Sequence, residues 1–320
     1  MNKGVLVVAE HVRGSLRDVT REAVTAAAAL RATGAGSVAV ALIARDPAEL
    51  MPAVTLEGVD EIVQVRASCS EFDADAYAQA LEAVVRKRCP GIILAGFTAN
   101  GMALGPRVAV DLGLAFASDV VACQVREGEP IAWRQFYGGK VEAELEFNGT
   151  SGVVLLLRPK IWTPAVAGGL PAVSSCQAPC DKSRLRTRHL EFIDPPASDL
   201  DIGKSTFILA IGRGAGERDQ LPRFEALAEK MRATLAASRP LVDAGWLPSS
   251  RLVGRSGATV TPRLYLALGV SGAAQHVEGM NESEVIVAVN KDPRAAIFGV
   301  AHYGATLDLF QVLEELEKLW

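Results

Sequence analysis

Leu264-Tyr265-Leu266-Ala267-Leu268-Gly269-Val270-Ser271-Gly272-Ala273-Ala274-Gln275-His276 is an apolar run that gives way to glycine, serine, glutamine and histidine. It reads as a buried strand that leaves its sheet through a loop. In an open α/β sheet, such strand ends are where ligands bind. The pattern recurs on both sides of this stretch. Residues 206–211 run into Gly212-Arg213-Gly214-Ala215-Gly216, followed by a helix-like segment with Phe224, Leu227, Ala228 and Met231 on one face. Residues 285–289 run into Asn290-Lys291-Asp292-Pro293, and residues 297–301 into His302-Tyr303-Gly304. Ser238-Arg239-Pro240-Leu241-Val242-Asp243-Ala244-Gly245-Trp246 and Val253-Gly254-Arg255-Ser256-Gly257 lie between. The glycine turn at 212–216 lets backbone approach a phosphate, but alone it is a weak signal. Its spacing is not G-x-G-x-x-G, and no acidic residue stands where a dinucleotide ribose needs one. Repetition at successive strand ends is far more specific.

The first half has the alternating texture of a parallel sheet with helices on its faces. Residues 5–9, 38–43, 62–65 and 92–95 read as short buried strands, and 20–31 and 75–88 as helices. Asp18 or Thr20 is expected to cap the first helix and Asp73 the second. Beyond Asp119 come four strand-like runs, 120–125, 131–136, 141–147 and 153–157, separated by short turns. Asn148-Gly149 is a hairpin signal. An antiparallel flap after the parallel core is therefore expected. Composition then shifts to Pro, Ser, Ala and charge, with one expected strand at 185–193 and Pro195-Pro196 close behind. The fold class is thus α/β: an N-terminal parallel domain with an antiparallel flap over 1–183, a linker over 184–203, and a C-terminal parallel-sheet domain over 204–320.

Bulk properties agree. A chain of 320 residues, 49% hydrophobic, is long for one core, so two domains are the natural expectation. A formal net charge of −4, with signs interspersed, offers no basic surface for nucleic acid. No apolar run reaches the ~18 residues that span a bilayer, so no membrane insertion is expected. The start, Met1-Asn2-Lys3-Gly4 followed by an apolar strand and Glu10, does not resemble a signal peptide, and a cytoplasmic protein is expected. Cys176 and Cys180 lack a second ligand pair, so no metal site is expected.

The motifs S-R-x-x-V-D-A-G-W, V-G-x-S-G, G-V-S-G-A-x-Q-H and A-V-N-x-D stand in order from 238 to 292. With residues 5–11, Thr98-Ala99-Asn100-Gly101, Pro106-Arg107 and Ser118-Asp119-Val120, they closely resemble the alpha subunits of electron transfer flavoproteins over essentially the whole chain. That resemblance implies an FAD lying extended across the second domain and a beta subunit closing over its isoalloxazine. It places Arg213 against the cofactor, and Ser238 and Arg239 near the flavin ring, where a cation favours the reduced, anionic flavin. Val253, Gly254, Arg255 and Ser256 match the loop at the flavin edge, with the Ser256 hydroxyl toward the N5 region. Ser271, Gly272, Ala273, Ala274, Gln275 and His276 match the segment around the pyrophosphate and the flavin pyrimidine. There Gly272 allows close backbone approach, and His276, protonated or hydrogen-bonding, stabilises negative charge on the ring. Asn290, Asp308 and Leu309 match positions at the adenosine, where a carboxylate can accept from ribose or adenine donors. Arg255, Leu252 and His302 depart from the family's more usual Gln, Gln and Asp.

The expected function is that of an electron carrier, not an enzyme. Its FAD takes electrons from dehydrogenases, acyl-CoA dehydrogenases for example, and passes them to a quinone oxidoreductase or another acceptor. Two alternatives stand beside it: a subunit of an electron-bifurcating complex that oxidises NADH through a second flavin in the beta subunit, and a non-redox nucleotide-binding or sensor protein.

Overall fold

The computed structural model describes residues 4–137, 139, 141–147, 149–178, 180–193 and 201–320. The chain divides into two compact units, Met1–Glu191 and Phe192–Trp320.

The first unit is built on a nine-stranded sheet. Its early elements are β1 (Val5–Val8), the short ribbon β2 (His11–Val12) and β3 (Ser15–Leu16), α1 (Asp18–Ala32), β4 (Val38–Ala44), α2 (Pro47–Val54), β5 (Glu61–Arg66), α3 (Ala74–Arg88), β6 (Ile92–Gly96) and α4 (Ala99–Leu112). Then come β7 (Ala115–Arg126), β8 (Glu129–Phe136), β9 (Val141–Glu146), β10 (Val153–Leu157) and β11 (Ala172–Cys176). The order across the sheet is β11-β5-β4-β1-β6-β10-β7-β8-β9. All neighbours are parallel except β7–β8 and β8–β9. Central strands such as Val-Val-Leu-Leu-Leu at 153–157 are buried throughout, as both faces are covered. Val24, Ala27 and Leu30 of α1 cover one face; Tyr77 and Leu81 of α3 with Leu104 and Val108 of α4 cover the other.

Three expectations need correction here. The run 153–157 does not belong to the antiparallel flap: β10 lies between β6 and β7, parallel to both. It is apolar at every position, which suits a sheet interior better than a half-solvated edge. Consequently β9 and β10 are not neighbours, and no hairpin joins them; Asn148 of the expected Asn148-Gly149 turn lies outside the described residues. Residues 185–193 form no strand; β11, in the connector, takes the sheet-edge place beside β5. Pro195-Pro196 also lies outside the described residues. Neither Asp18 nor Thr20 caps α1. Its N-cap position is Arg17, with no side-chain cap, while the Thr20 hydroxyl exchanges hydrogen bonds with the Glu10 backbone. Asp73 does cap α3, accepting from the Asp75 and Ala76 amides.

The connector is held to the N-terminal end of α3 by the buried Asp75 carboxylate. It accepts the Arg186 backbone N–H at 2.8 Å and the Arg186 guanidinium at 2.9 Å, and it also pairs with Arg107 of α4. Arg186 above all, then Arg107, holds this carboxyl well below the usual carboxylate range. Its folded pKa is depressed, so its stabilisation is complete above the ordinary value of 3.8 and is lost as pH falls below it. Asp75→Ala strands two cations beside a buried site, and the expected cost is about 3 kcal/mol. Urea unfolding of the full chain at neutral pH checks this; a change within about 0.5 kcal/mol, the usual range for neutral surface substitutions, would show that the pairing is dispensable.

The second unit holds a five-stranded, wholly parallel sheet: β12 (Phe207–Ile211), α5 (Leu221–Lys230), β13 (Thr234–Ala237), α6 (Arg239–Asp243), β14 (Leu264–Leu268), α7 (Ala274–Val277), β15 (Val285–Val289), β16 (Tyr303–Ala305) and α8 (Leu309–Leu319). The order is β13-β12-β14-β15-β16. Phe224 and Leu227 of α5 and Leu313 of α8 fill one face. The other is covered mainly by irregular chain, through Val253, Val260, Met280 and Ile297. After β12 the chain turns to one side to make β13, then crosses back to make β14 on the other. That reversal opens a crevice at the carboxyl ends of β12 and β14.

Candidate functional site

A cleft of about 1340 Å³ occupies this switch point. Its floor depends on glycine. The Gly212 and Gly214 amides donate to the carbonyls of Leu268 and Gly269 at 2.9 and 3.1 Å. A Cβ on Gly212 would sit 2.3 Å from the Gly269 carbonyl oxygen, with backbone atoms on every near side. The two loops thus touch backbone to backbone, which explains the Gly212-Arg213-Gly214 spacing without a dinucleotide fingerprint.

All the residues expected at the cofactor line this cleft except Gly272 and Ala274. Gly272, at φ +79°, is pressed against the chain at Ile297, whose nitrogen a Cβ would meet at 2.2 Å. Its missing side chain therefore serves loop packing at this point. Ala274 opens α7. Arg213 follows β12, and Ser238 and Arg239 follow β13. Arg239 hydrogen-bonds the Ser256 hydroxyl and lies 3.8 Å from Asp243, so the two loops at the sheet's β13 end are joined. The segment 252–258 is folded back tightly: the Gly254 amide donates to the Ala258 carbonyl at 3.1 Å, and the Arg255 amide to the Gln275 carbonyl at 2.7 Å. Arg255 Nε meets the Glu278 carboxylate at 2.8 Å. The added charge at this position is therefore balanced by the carboxylate of Glu278, which follows α7.

His276 is the most enclosed polar group of the site, 6% exposed. Its Nε2 is 2.9 Å from the hydroxyl of Tyr265, on a wholly buried ring; its Nδ1 is buried too, and the ring also faces the Val253 backbone. Burial lowers the imidazole pKa from 6.5 to about 4, opposed in part by the neighbouring Val253 backbone. Burial therefore disfavours the protonated form of this imidazole.

Asn290 spans loops: its amide nitrogen donates to the Val270 carbonyl at 2.8 Å, and its side-chain oxygen accepts from the Asp292 amide at 3.0 Å. Asp308 caps α8 through the Phe310 amide at 2.8 Å, and Leu309 is buried in the first turn. His302 does not line the cleft; its Nδ1 accepts from the Ile286 amide at 2.9 Å, an acceptor role that an Asp could also fill. Sequence reasoning quoted but did not select Lys291, and stopped one residue short of Arg294; both also line the cleft. The signal was their place in a strand-end loop. Among the described residues neither Arg213 nor Lys291 has an ion-pair partner, and cations outnumber carboxylates along the lining. Such a wall attracts a phosphorylated, anionic ligand.

Elsewhere, among the described residues, no cluster of three or more His, Cys, Asp or Glu side chains is arranged for a metal. No helix there is long and apolar enough to cross a membrane.

Fold and site define an α/β protein with a cationic, dinucleotide-sized cleft at the switch point of its second parallel sheet. The profile described as "Electron transfer flavoprotein domain" matches residues 5–183, and that described as "Electron transfer flavoprotein FAD-binding domain" matches residues 201–281. The chain is 39% identical over 315 residues, 98% of each chain, to the electron transfer flavoprotein subunit alpha of Methylophilus methylotrophus. It is 31% identical over 318 residues, 98% of this chain and 76% of the other, to lactate dehydrogenase (NAD(+),ferredoxin) subunit LctC of Acetobacterium woodii. Among solved structures, a thiamin diphosphate-dependent enzyme from Mycobacterium smegmatis aligns over 99% of this chain and 60% of its own, at 14% identity and a TM-score of 0.26; that likeness carries no argument. The chain belongs to the electron transfer flavoprotein family, in its alpha-subunit branch, and carries that family's FAD-binding domain.

The lining fits FAD on the structure's own terms. The cleft is large enough for an extended dinucleotide, and its walls favour a pyrophosphate.

Proposed function

We propose that this chain is the FAD-holding half of a heterodimeric electron carrier. It receives electrons from a dehydrogenase of the acyl-CoA type and passes them to a quinone oxidoreductase or comparable acceptor. The single observation that carries the reading is the cationic cleft at the β12/β14 switch point, with His276 in its wall. In this reading residues 204–320 form the FAD domain, 1–183 a scaffold that meets the beta subunit, and 184–203 the linker between them. The protein works in the cytoplasm.

When bound, the flavin supplies the redox chemistry; the chain supplies binding, orientation and charge. Arg213, Lys291 and Arg294 contribute positive charge for the phosphates. Arg239, oriented through Ser256 and Asp243, brings a guanidinium toward the ring, and Val253, Gly254 and the Arg255 backbone form the edge beside it. Ser271, Ala273 and Gln275 line the wall after β14. His276 presents a neutral imidazole, held neutral by burial, rather than a full charge. Asn290, Asp308 and Leu309 line the β15 and α8 side, assigned to the adenosine end.

The relative LctC supports a second reading, since its name pairs NAD with ferredoxin: a subunit of a bifurcating complex whose second flavin lies in the partner. A nucleotide-sensing role for the first unit has little support. The cavity at its own switch point holds about 20 Å³, room for one water. Gly101 of α4 packs there on the Gly96 carbonyl oxygen, which a Cβ would meet at 1.8 Å.

Flavin content and electron donors of the chain co-expressed with its beta subunit test the proposal. About one FAD per heterodimer, reduced by an acyl-CoA dehydrogenase and not by NADH, is expected. Two flavins with NADH oxidation would favour the bifurcating reading, and a flavin-free complex would overturn both.

A further inference from the structure

Among the described residues, Arg239, Arg255 and Arg294 line the cleft and each stands near a carboxylate, but one of these pairs is built differently. Asp243 lies 3.8 Å from Arg239 and Asp292 4.0 Å from Arg294, and both of these carboxylates line the cleft themselves. Glu278 does not. It follows α7 and meets Arg255 Nε at 2.8 Å, the shortest of the three contacts. The cation of this pair belongs to the cleft and its counter-charge does not.

The pair is not what shapes the wall. Backbone contacts already fix the loop 252–258 against α7 and the turn after it. The Arg255 amide donates to the Gln275 carbonyl at 2.7 Å, and the Val260 amide to the Gly279 carbonyl at 2.8 Å. A Cβ on Gly254 would meet the Gln275 carbonyl oxygen at 2.6 Å, and one on Gly279 would meet the Gly254 nitrogen and Cα at 2.5 Å. The two segments therefore touch backbone to backbone. The side chains of Arg255 and Glu278 are 42% and 35% exposed, and an ion pair so exposed adds little to stability. Its effect is on charge. A lone guanidinium in the wall would act on an anionic ligand as a full cation. With Glu278 against it the ligand meets a dipole, whose opposite charges largely cancel at a distance.

We propose that Glu278 is a positioning residue that acts through Arg255: it masks the guanidinium, and so sets how strongly the cleft favours reduced over oxidised flavin. The inference rests on the cleft being the FAD site. Uptake of two electrons and one proton leaves the flavin with one more negative charge. A bare cation in the wall therefore favours the reduced form, and a bare carboxylate opposes it. Glu278, which does not line the cleft, keeps the charge added at position 255 nearly silent.

Redox titration of the heterodimer at low ionic strength tests this, because masking and stapling predict different signs. Glu278→Gln is expected to raise the preference for reduced flavin about threefold, the size of a partly screened surface charge. That is a rise of about 14 mV for a two-electron couple, at about 30 mV per tenfold change. Arg255→Gln should lower it by a similar factor, and the double variant should return close to the wild-type value. Added salt should shrink both single shifts. If the pair only staples the loop, each single substitution breaks the same bond, and both shifts take the same sign; that result, or no shift in either, would overturn the proposal. Inorganic pyrophosphate binding to the full chain freed of flavin gives a second readout. Glu278→Gln should bind this anion more tightly and Arg255→Gln more weakly, each about threefold. Opposite pyrophosphate shifts in a chain whose heterodimer holds no flavin would remove the flavin reading and leave the masking in place. A flavin-loaded heterodimer without opposite shifts would do the reverse.

Discussion

Gly212→Ala is expected to empty the cleft of flavin and to destabilise the second unit by about 3 kcal/mol or more. The added methyl has nowhere to go. It meets the Gly269 carbonyl oxygen at 2.3 Å, Val270 Cα at 2.6 Å and the Gly269 carbonyl carbon at 2.7 Å. All three are backbone atoms, so no rotamer change relieves the contact. The loops after β12 and β14 must part, and the floor between them is where the phosphates are proposed to rest. Gly299→Ala is the control, since a Cβ there meets nothing within 4 Å; its effect should stay within about 0.5 kcal/mol. Flavin retained per heterodimer and thermal unfolding of both variants provide the check. A Gly212→Ala protein with full flavin content would mean that the two loops do not form the floor of the site.

The second large effect concerns acid. His276 has a folded pKa of about 4 against an ordinary 6.5, so on lowering the pH the unfolded chain takes up this proton before the folded one. The stabilisation from keeping the ring neutral is complete above pH 6.5 and is lost as pH falls toward 4. The loss is on the order of 3 kcal/mol. Denaturant unfolding of the second unit's signal in the full chain, followed from pH 7 to 4, should show it. His276→Gln should flatten that part of the profile, because it removes the group that titrates. Parallel profiles for the two proteins would place the acid sensitivity elsewhere.

The amount legible in the sequence differs between strands and contacts. The runs at 206–211, 264–268 and 285–289 were readable because parallel strands buried on both faces are continuous apolar stretches. The strand-end residues were readable because loops that leave a sheet need glycine and small polar residues. The run at 153–157 was equally visible as a strand, yet its neighbours were not. Nothing local distinguishes a strand that continues a flap from one that returns between β6 and β7. Asn148-Gly149 gave a misleading signal for that reason: a turn-forming dipeptide reports local backbone preference, not which strand lies opposite. The expected strand at 185–193 failed on similar grounds. Its alternation of basic and apolar residues suggested a sheet face, but Arg186 is bound to the buried carboxylate of Asp75, more than a hundred residues away in sequence.

At the site the same division holds. The motifs placed Arg239, Ser256, His276 and Asn290 on one side of the second sheet, since strand ends of a parallel sheet all lie on one edge. They also pointed to the family and, through it, to FAD. They did not reveal that Arg255 is balanced by Glu278, that Gly272 is occupied by the chain at Ile297, or that His276 is buried against Tyr265.

By itself, then, the sequence determined the buried parallel strands of both sheets, their polarity and the chemistry gathered at their ends, because period, glycine placement and strand length are local properties of the chain. The tertiary structure alone decided where β10 inserts, which charges face a partner, and that His276 is buried against Tyr265, where desolvation disfavours its protonated form. Pairing, neutralisation and desolvation arise between residues brought together from distant positions, and no local pattern encodes which residues those will be.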